Sequence, residues 1–289
     1  MSDILDRELA KYPRTPHLQG SRYQPGDKGT PAPYQALSGR FIVVEEKFDG
    51  ANAGVSFDAG GQLYLQSRGH YLHLDTQAGR ERAFAMFKRW ARFHEDGLLE
   101  VLEDRYVCYG EYMYAKHSLA YNALPHLFLE FDVWDRSTGS FLDTAARHAL
   151  LDALPVVSVP VLYAGIAPPR YQDLVAMIAP SLGRTATWRA DFEAEVHRQK
   201  LDPGLCWMQT DRSELAEGLY VKVEEDGRTV ERYKLVRSDF VQTILDSGSH
   251  HSTRPIVPNG LRPGTDLFAP AVDKRWPRAG APGENHAME

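Results

Sequence analysis

Short apolar runs broken by turn residues dominate the first part of the chain. Phe41-Ile42-Val43-Val44 runs into Glu45-Glu46-Lys47, and the turn Ala59-Gly60-Gly61 separates two further runs. Runs of this length, bounded by glycine and aspartate, predict strands at 41–46, 51–57 and 62–67. The period then lengthens. Ala83, Met86, Phe87, Trp90 and Phe93 recur at helical spacing and predict a helix over 77–103. Val107–Tyr112 and His126–Asp135 read as buried strands. Residues 143–200 are expected to be mostly helical, with breaks at Pro155, Pro168-Pro169 and Gly183. Two strands, 217–224 and 229–237, flank Glu225-Asp226-Gly227 in a hairpin pattern. Residues 1–38 are punctuated by prolines, and the proline-rich stretch from Thr253 on has no periodicity. The chain therefore divides into an arm (1–38), one domain (39–250) and an extended or disordered tail (251–289).

The composition is that of a water-soluble globular protein, with 43% hydrophobic and 25% charged residues and no apolar run as long as a membrane span. The start, Met1-Ser2-Asp3-Ile4, lacks a signal-peptide core, and two cysteines, Cys108 and Cys206, are too few for a disulfide framework. A reducing cytoplasm is the expected compartment. The net charge of −6 excludes a chain that binds nucleic acid with its whole surface, so such contact requires a local basic patch. Arg80, Arg82, Lys88, Arg89 and Arg92 on the predicted helix form one candidate, although such charges are more often the solvated face of an amphipathic helix. His70, His73 and the pair His250-His251 lack the partners of a zinc site and read as structural or surface residues.

Lys47 carries the chemical signal. It ends an apolar strand beside Phe48-Asp49-Gly50, where partial burial and neighbouring cations are expected to lower its pKa and free the amine as a nucleophile. Schiff-base chemistry and attack on phosphorus both remain open from this residue alone. The later blocks decide. Ser67-Arg68-Gly69, Tyr109-Gly110-Glu111-Tyr112, Phe131-Asp132-Val133-Trp134-Asp135, Glu217 to Lys222 and Arg232 to Arg237 follow in order, each at a strand end. This series resembles the covalent nucleotidyltransferase superfamily of polynucleotide ligases and mRNA capping enzymes. It is most similar to the ATP-dependent RNA ligases, whose lysine motif matches Glu46 to Asn52. The similarity covers about residues 40–240.

The resemblance implies an α+β fold, with antiparallel sheets forming the adenylation domain and helices outside. It implies that Lys47 attacks the α-phosphorus of ATP, that the AMP passes to an RNA 5′-phosphate, and that a 3′-hydroxyl displaces it, as in RNA repair. Lys234 matches the final catalytic lysine. Arg232 stands where the family usually has a first lysine. Glu217 and Glu111 match carboxylates for magnesium, or manganese in its place, and Glu111 alternatively matches a ribose contact. Asn52 lies near that metal shell. Glu46, Asp49, Arg68 and Lys222 match nucleotide-binding positions, and Phe131 matches the aromatic that stacks on the purine. The stretch after Arg237 is too short for the five-stranded OB barrel, on the order of 100 residues, that DNA ligases and capping enzymes carry. Arg14, His17 and Arg22 of the arm are then candidates for contact with pyrophosphate or RNA. The expected partners are RNA ends or nicks and a separate end-processing kinase or phosphatase. Alternatives are a DNA ligase or guanylyltransferase core acting with a partner chain, or a binding module that has lost catalysis.

Overall fold

The computed structural model describes residues 9–23, 27, 29–75, 79–240 and 256–277. Ten strands make up its sheet: β1 (Phe41–Lys47), β2 (Ala51–Phe57), β3 (Leu63–Ser67), β4 (Tyr106–Tyr112), β5 (Phe128–Asp135), β6 (Ser140–Leu142), β7 (Val157–Ser158), β8 (Val161–Ile166), β9 (Gly218–Glu225) and β10 (Arg228–Val236). The order is β3-β2-β4-β5-β6-β10-β9-β1-β8, with β7 alongside β5. Every pairing on that path is antiparallel, and the β5–β7 pairing is parallel. The hairpin between β9 and β10 turns at Asp226 (φ 50°) and Gly227 (φ 76°), the two left-handed positions that match the twist of paired strands.

Two half-sheets meet along a seam. The short β6 joins them, pairing with β5 only at Trp134 and Asp135 and with β10 only at Arg228 and Thr229. One half, β2–β5, buries Val55, Phe57, Leu65, Cys108 and Val133 against helices α1 (Ala85–Phe93) and α2 (Glu95–Leu102). The other half, β8-β1-β9-β10, buries Ile42, Val44, Leu219, Val221, Val223 and Leu235 on one face. Each such side chain contributes about 1.5–3 kcal/mol by leaving water. The N-terminal arm closes the edge of β10 that β6 leaves uncovered. Lys234 N–H donates to Pro16 O (2.9 Å), Leu18 N–H to Lys234 O (2.9 Å) and Arg22 N–H to Val236 O (3.0 Å).

Several expectations need correction. The predicted helix over 77–103 is a 3-10 turn (Gly79–Phe84) followed by two helices that break at His94, and Glu103 (φ 47°) ends the second. Residues 143–200 are not mostly helical. They hold α3 (Thr144–Leu150), α4 (Tyr171–Val175) and α5 (Trp188–Arg198), but also β7 and β8. The run Val156 to Tyr163 is apolar and rich in valine, with Pro155 and Pro160 depriving a helix of donors, so it is captured by the sheet instead. A sixth helix, α6 (Pro203–Met208), packs on α5 around Trp188, Phe192 and Cys206. Residues 256–277 have no helix or strand, in keeping with an extended tail, yet they are docked. Lys116 N–H donates to Val257 O (2.8 Å), Asn259 N–H to Tyr114 O (2.8 Å) and Leu124 N–H to Gly260 O (3.1 Å). His250-His251 lies outside the described residues. Among the described residues no helix is long and apolar enough to cross a membrane.

Candidate active site

Period-two geometry decides what Lys47 meets. Along β1, Val43, Glu45 and Lys47 share one face, while Ile42, Val44 and Glu46 point to the opposite one. Across from Lys47 in the register is Gly218, and beyond it Val236. A Cβ at residue 218 would lie 2.0 Å from the Leu235 carbonyl oxygen, so only glycine admits this close approach. Glu217, just before it, is almost fully buried, and its Oε2 accepts from Lys47 Nζ at 2.5 Å.

The loop after Lys47 crosses from one half-sheet to the other and is fixed at each residue. Phe48 is buried, with ring centroids 5.4 Å from Tyr121 and 5.3 Å from Trp276 of the docked tail. Asp49 Oδ2 accepts from the N–H groups of Ser118 (2.6 Å) and Leu119 (2.9 Å), and its own N–H donates to Tyr121 OH (3.0 Å). Gly50 N–H donates to Glu111 Oε1 (3.0 Å), at a spot where a Cβ would lie 2.8 Å from both Met113 Sδ and the Tyr112 carbonyl. Asp49 thus anchors the loop rather than merely capping a turn.

The electrostatics reverse one expectation. Burial alone would lower the Lys47 pKa, but Glu217, Glu111 and Asp49 outweigh it, and the pKa is raised. The amine is held as an ammonium. Burial pushes the carboxyls of Glu217 and Glu111 up to about 7, against the opposing charge of Lys47. Asn52 lies opposite Glu111 in the β2–β4 register, and its buried Oδ1 has no hydrogen-bond partner.

Lys234 reaches the same region from β10. Burial lowers its pKa, opposed by Asp27 Oδ1 at 3.1 Å, while the charge of Lys47 adds to the lowering. Arg232 shares its face, as the spacing implied, but is turned toward the seam. Its Nη1 is 3.5 Å from Asp132 Oδ2, and its guanidinium lies 3.7 Å above the Phe141 ring centroid. Lys222 is fully buried, 3.0 Å from Glu45 and 3.1 Å from Asp132, and also donates to the Phe131 carbonyl. Phe131 faces the seam, its ring centroid 5.1 Å from Tyr12 and 6.1 Å from Tyr220.

Other predicted residues do not join this group. Glu46 accepts from Ser181 Oγ (2.5 Å) and Leu182 N–H (3.0 Å) on the far face, and burial pushes its carboxyl up to about 7. Arg68 is exposed one residue beyond the Ala53–Ser67 pair. Arg14 is exposed, and Arg22 donates to the Ser238 carbonyl at 2.7 Å. His17 is buried, bonded to Ser21 Oγ (2.6 Å) and Asp27 Oδ2 (2.8 Å). Of the basic-helix residues, Lys88 is buried against Glu81, whereas Arg82, Arg89 and Arg92 are exposed. His70 Nε2 lies 3.6 Å from Glu81. Among the described residues no set of three or more histidine, cysteine or acidic side chains could hold a metal ion unaided.

The seam also holds residues the sequence reading passed over. Arg147 of α3 bonds Glu45 of β1 (2.5 Å) and Glu130 of β5 (2.7 Å), tying the two halves beneath Lys222. Tyr12 donates to Asp132, lies 2.6 Å from Tyr220 OH, and has its ring between Tyr109, Phe131 and Phe141. Glu45 and Asp132 had a usable signal: the first shares Lys47's face by alternation, and the second sits inside a recognised block. Arg147, Tyr12 and Asp27 had none, because only the folded chain brings them there.

Known proteins share the motif-bearing region and the fold. A family profile described as RNA ligase matches residues 40–236. The fold is similar to that of a Naegleria gruberi RNA ligase solved with pyrophosphate (TM-score 0.51, 19% identity, 85% of this chain and 63% of that one). A mutant of that ligase solved with ATP and Mn matches at TM-score 0.48 and 18% identity over 74% of this chain and 54% of that one. The chain thus spans less than two thirds of the length of these ligases. No curated protein matches it by sequence.

Proposed function

The chain belongs to the RNA ligase family, and from that premise we propose that it joins RNA ends in an ATP-dependent reaction through a lysyl-AMP intermediate. The observation that carries this reading is the convergence of Lys47, Glu217, Glu111 and Lys234, drawn from four separate motifs, on one site.

In the first step the Lys47 amine attacks the α-phosphorus of ATP, a phosphorus–nitrogen bond forms, and pyrophosphate leaves. Lys47 must first lose a proton. Glu217, 2.5 Å away and with a raised pKa, is the nearest group to take it. Lys234 supplies fixed positive charge for the phosphate oxygens. Phe131 offers an aromatic face to the purine. The AMP then passes to an RNA 5′-phosphate, and attack by a 3′-hydroxyl releases it.

The site suits a hard divalent cation such as magnesium or manganese. Two carboxylates, Glu111 and Glu217, and the unpartnered Asn52 Oδ1 make a partial oxygen shell of the kind that nucleotide phosphates and water complete. Such a cation would offset the carboxylate charge that keeps Lys47 protonated and would neutralise phosphate oxygens.

The substrate test presents 5′-phosphorylated RNA and DNA, nicked and single-stranded, with ATP or GTP and magnesium. Sealing of RNA with ATP is expected. Sealing of DNA alone, or labelling only by GTP, would replace this reading with a DNA ligase or guanylyltransferase one.

A further inference from the structure

The N-terminal arm brings an acid, not a base, to the catalytic face. Asp27 Oδ1 lies 3.1 Å from Lys234 Nζ, and its other oxygen lies 2.8 Å from His17 Nε2. His17 is itself fixed. It is 3% exposed, its Nδ1 is 2.6 Å from Ser21 Oγ, its ring stacks on Tyr23 at 4.2 Å, and Ser21 Oγ accepts from Val236 N–H at 2.9 Å. The backbone bonds of residues 16–22 to β10 hold the whole unit against the strand that carries Lys234. The carboxylate is therefore aimed rather than adrift.

An anion there conflicts with binding a nucleotide. Lys234 is the cation proposed to meet phosphate oxygens, and one ammonium cannot give its full charge to two anions at once. Glu217, Glu111 and Asp49 already make the surroundings acidic, as their pull on the Lys47 proton indicates. Phosphate that approaches Lys234 competes with the aspartate for its charge.

We propose that Asp27 is an exchangeable counter-ion for Lys234, carried by the arm, which ATP phosphates and the departing pyrophosphate displace. This rests on the RNA ligase reading of the site and adds to it the arm's part in nucleotide affinity. The device keeps Lys234 paired between turnovers, and it weakens nucleotide and pyrophosphate binding by the strength of the pair. Both side chains are about one fifth exposed, 21% for Lys234 and 22% for Asp27. A partly exposed pair of this kind corresponds to about a two- to fivefold change in affinity.

The test is calorimetric titration of the full chain with magnesium pyrophosphate, for wild type, Asp27→Asn and Asp27→Glu. Asparagine keeps the shape and the polar contact with His17 but removes the charge. Asp27→Asn is expected to bind pyrophosphate about two- to fivefold more tightly, and Asp27→Glu to bind like wild type. A structural role alone would not tighten binding. Unchanged or weaker binding by Asp27→Asn, with an unaltered melting temperature, would overturn the proposal. Lysyl-AMP formation by the wild type, measured in parallel by mass, reports separately on the ligase reading. Its absence alongside tighter pyrophosphate binding by Asp27→Asn would remove that reading and leave the counter-ion in place.

Discussion

Lys47 sits in a salt bridge that opposes the chemistry proposed for it. The sequence pointed to a lysine with a lowered pKa, and burial does act that way, but three carboxylates outweigh it. Nucleophilic attack requires the neutral amine, so the rate of AMP attachment should rise with pH from 6 to 9. Glu217→Gln removes one of those carboxylates and should shift the rise to lower pH while slowing the step, about 10²–10³-fold if Glu217 also serves the transition state. Single-turnover rates against pH would check this, and a flat profile would contradict it. Glu46 illustrates a different consequence. Burial pushes its carboxyl up from the unfolded value of 4.5 to about 7. It therefore holds its proton more tightly when folded, and the stability it contributes is present below pH 4.5 and lost as pH rises through 7. The loss amounts to up to about 3 kcal/mol. Glu46→Gln should flatten this decline, as read from denaturation midpoints at pH 5 and pH 8. The motif spacing made Lys47, Glu217 and Lys234 legible, since each lies in or directly beside a strand of fixed alternation. It gave no access to the sign of the Lys47 shift, which depends on Glu111 of β4 and on Glu217 just before β9, brought there only by the fold.

At the scale of elements, the strands were legible wherever apolar runs met glycine turns, and the β9–β10 hairpin is where Asp226-Gly227 required it. The run Val156–Tyr163 was not, because a short apolar stretch reads equally as helix or strand until a neighbour with an open edge captures it. Here β1 and β5 supply the edges. The α3 helix ties the halves through Arg147, which is fully buried between Glu45 and Glu130. Arg147→Ala would leave both acids uncompensated in the interior, so a loss of about 3–5 kcal/mol is expected on urea unfolding. A change under 1 kcal/mol would show that the pair is relaxed by water or by proton uptake. The arm's arginines make a separate prediction. Arg14 is exposed beside Thr15, whose Oγ lies 2.6 Å from Tyr220 OH. A contact between Arg14 and pyrophosphate would appear only as the leaving group departs. Arg14→Ala should then impair lysyl-AMP formation and spare sealing of RNA that already carries a 5′-adenylyl group. Equal loss of both steps would assign Arg14 to RNA binding instead.

For the molecule as a whole, the two half-sheets and the seam between them explain why residues spread over nearly 190 positions, from Lys47 to Lys234, come together. β1 carries Lys47, the proposed nucleophile, on one half, its loop crosses to the other, and the docked tail packs Trp276 behind that loop on Phe48. The tail's docking was invisible in the sequence, since extended segments bond through their backbone and leave no periodicity. Covalent adenylylation of Lys47 is addressed directly by intact-protein mass spectrometry after incubation with ATP and magnesium. A gain of one AMP is expected in the wild type, mapped to Lys47, and none in Lys47→Ala. An unmodified wild type, or an AMP adduct that persists in Lys47→Ala, would contradict it.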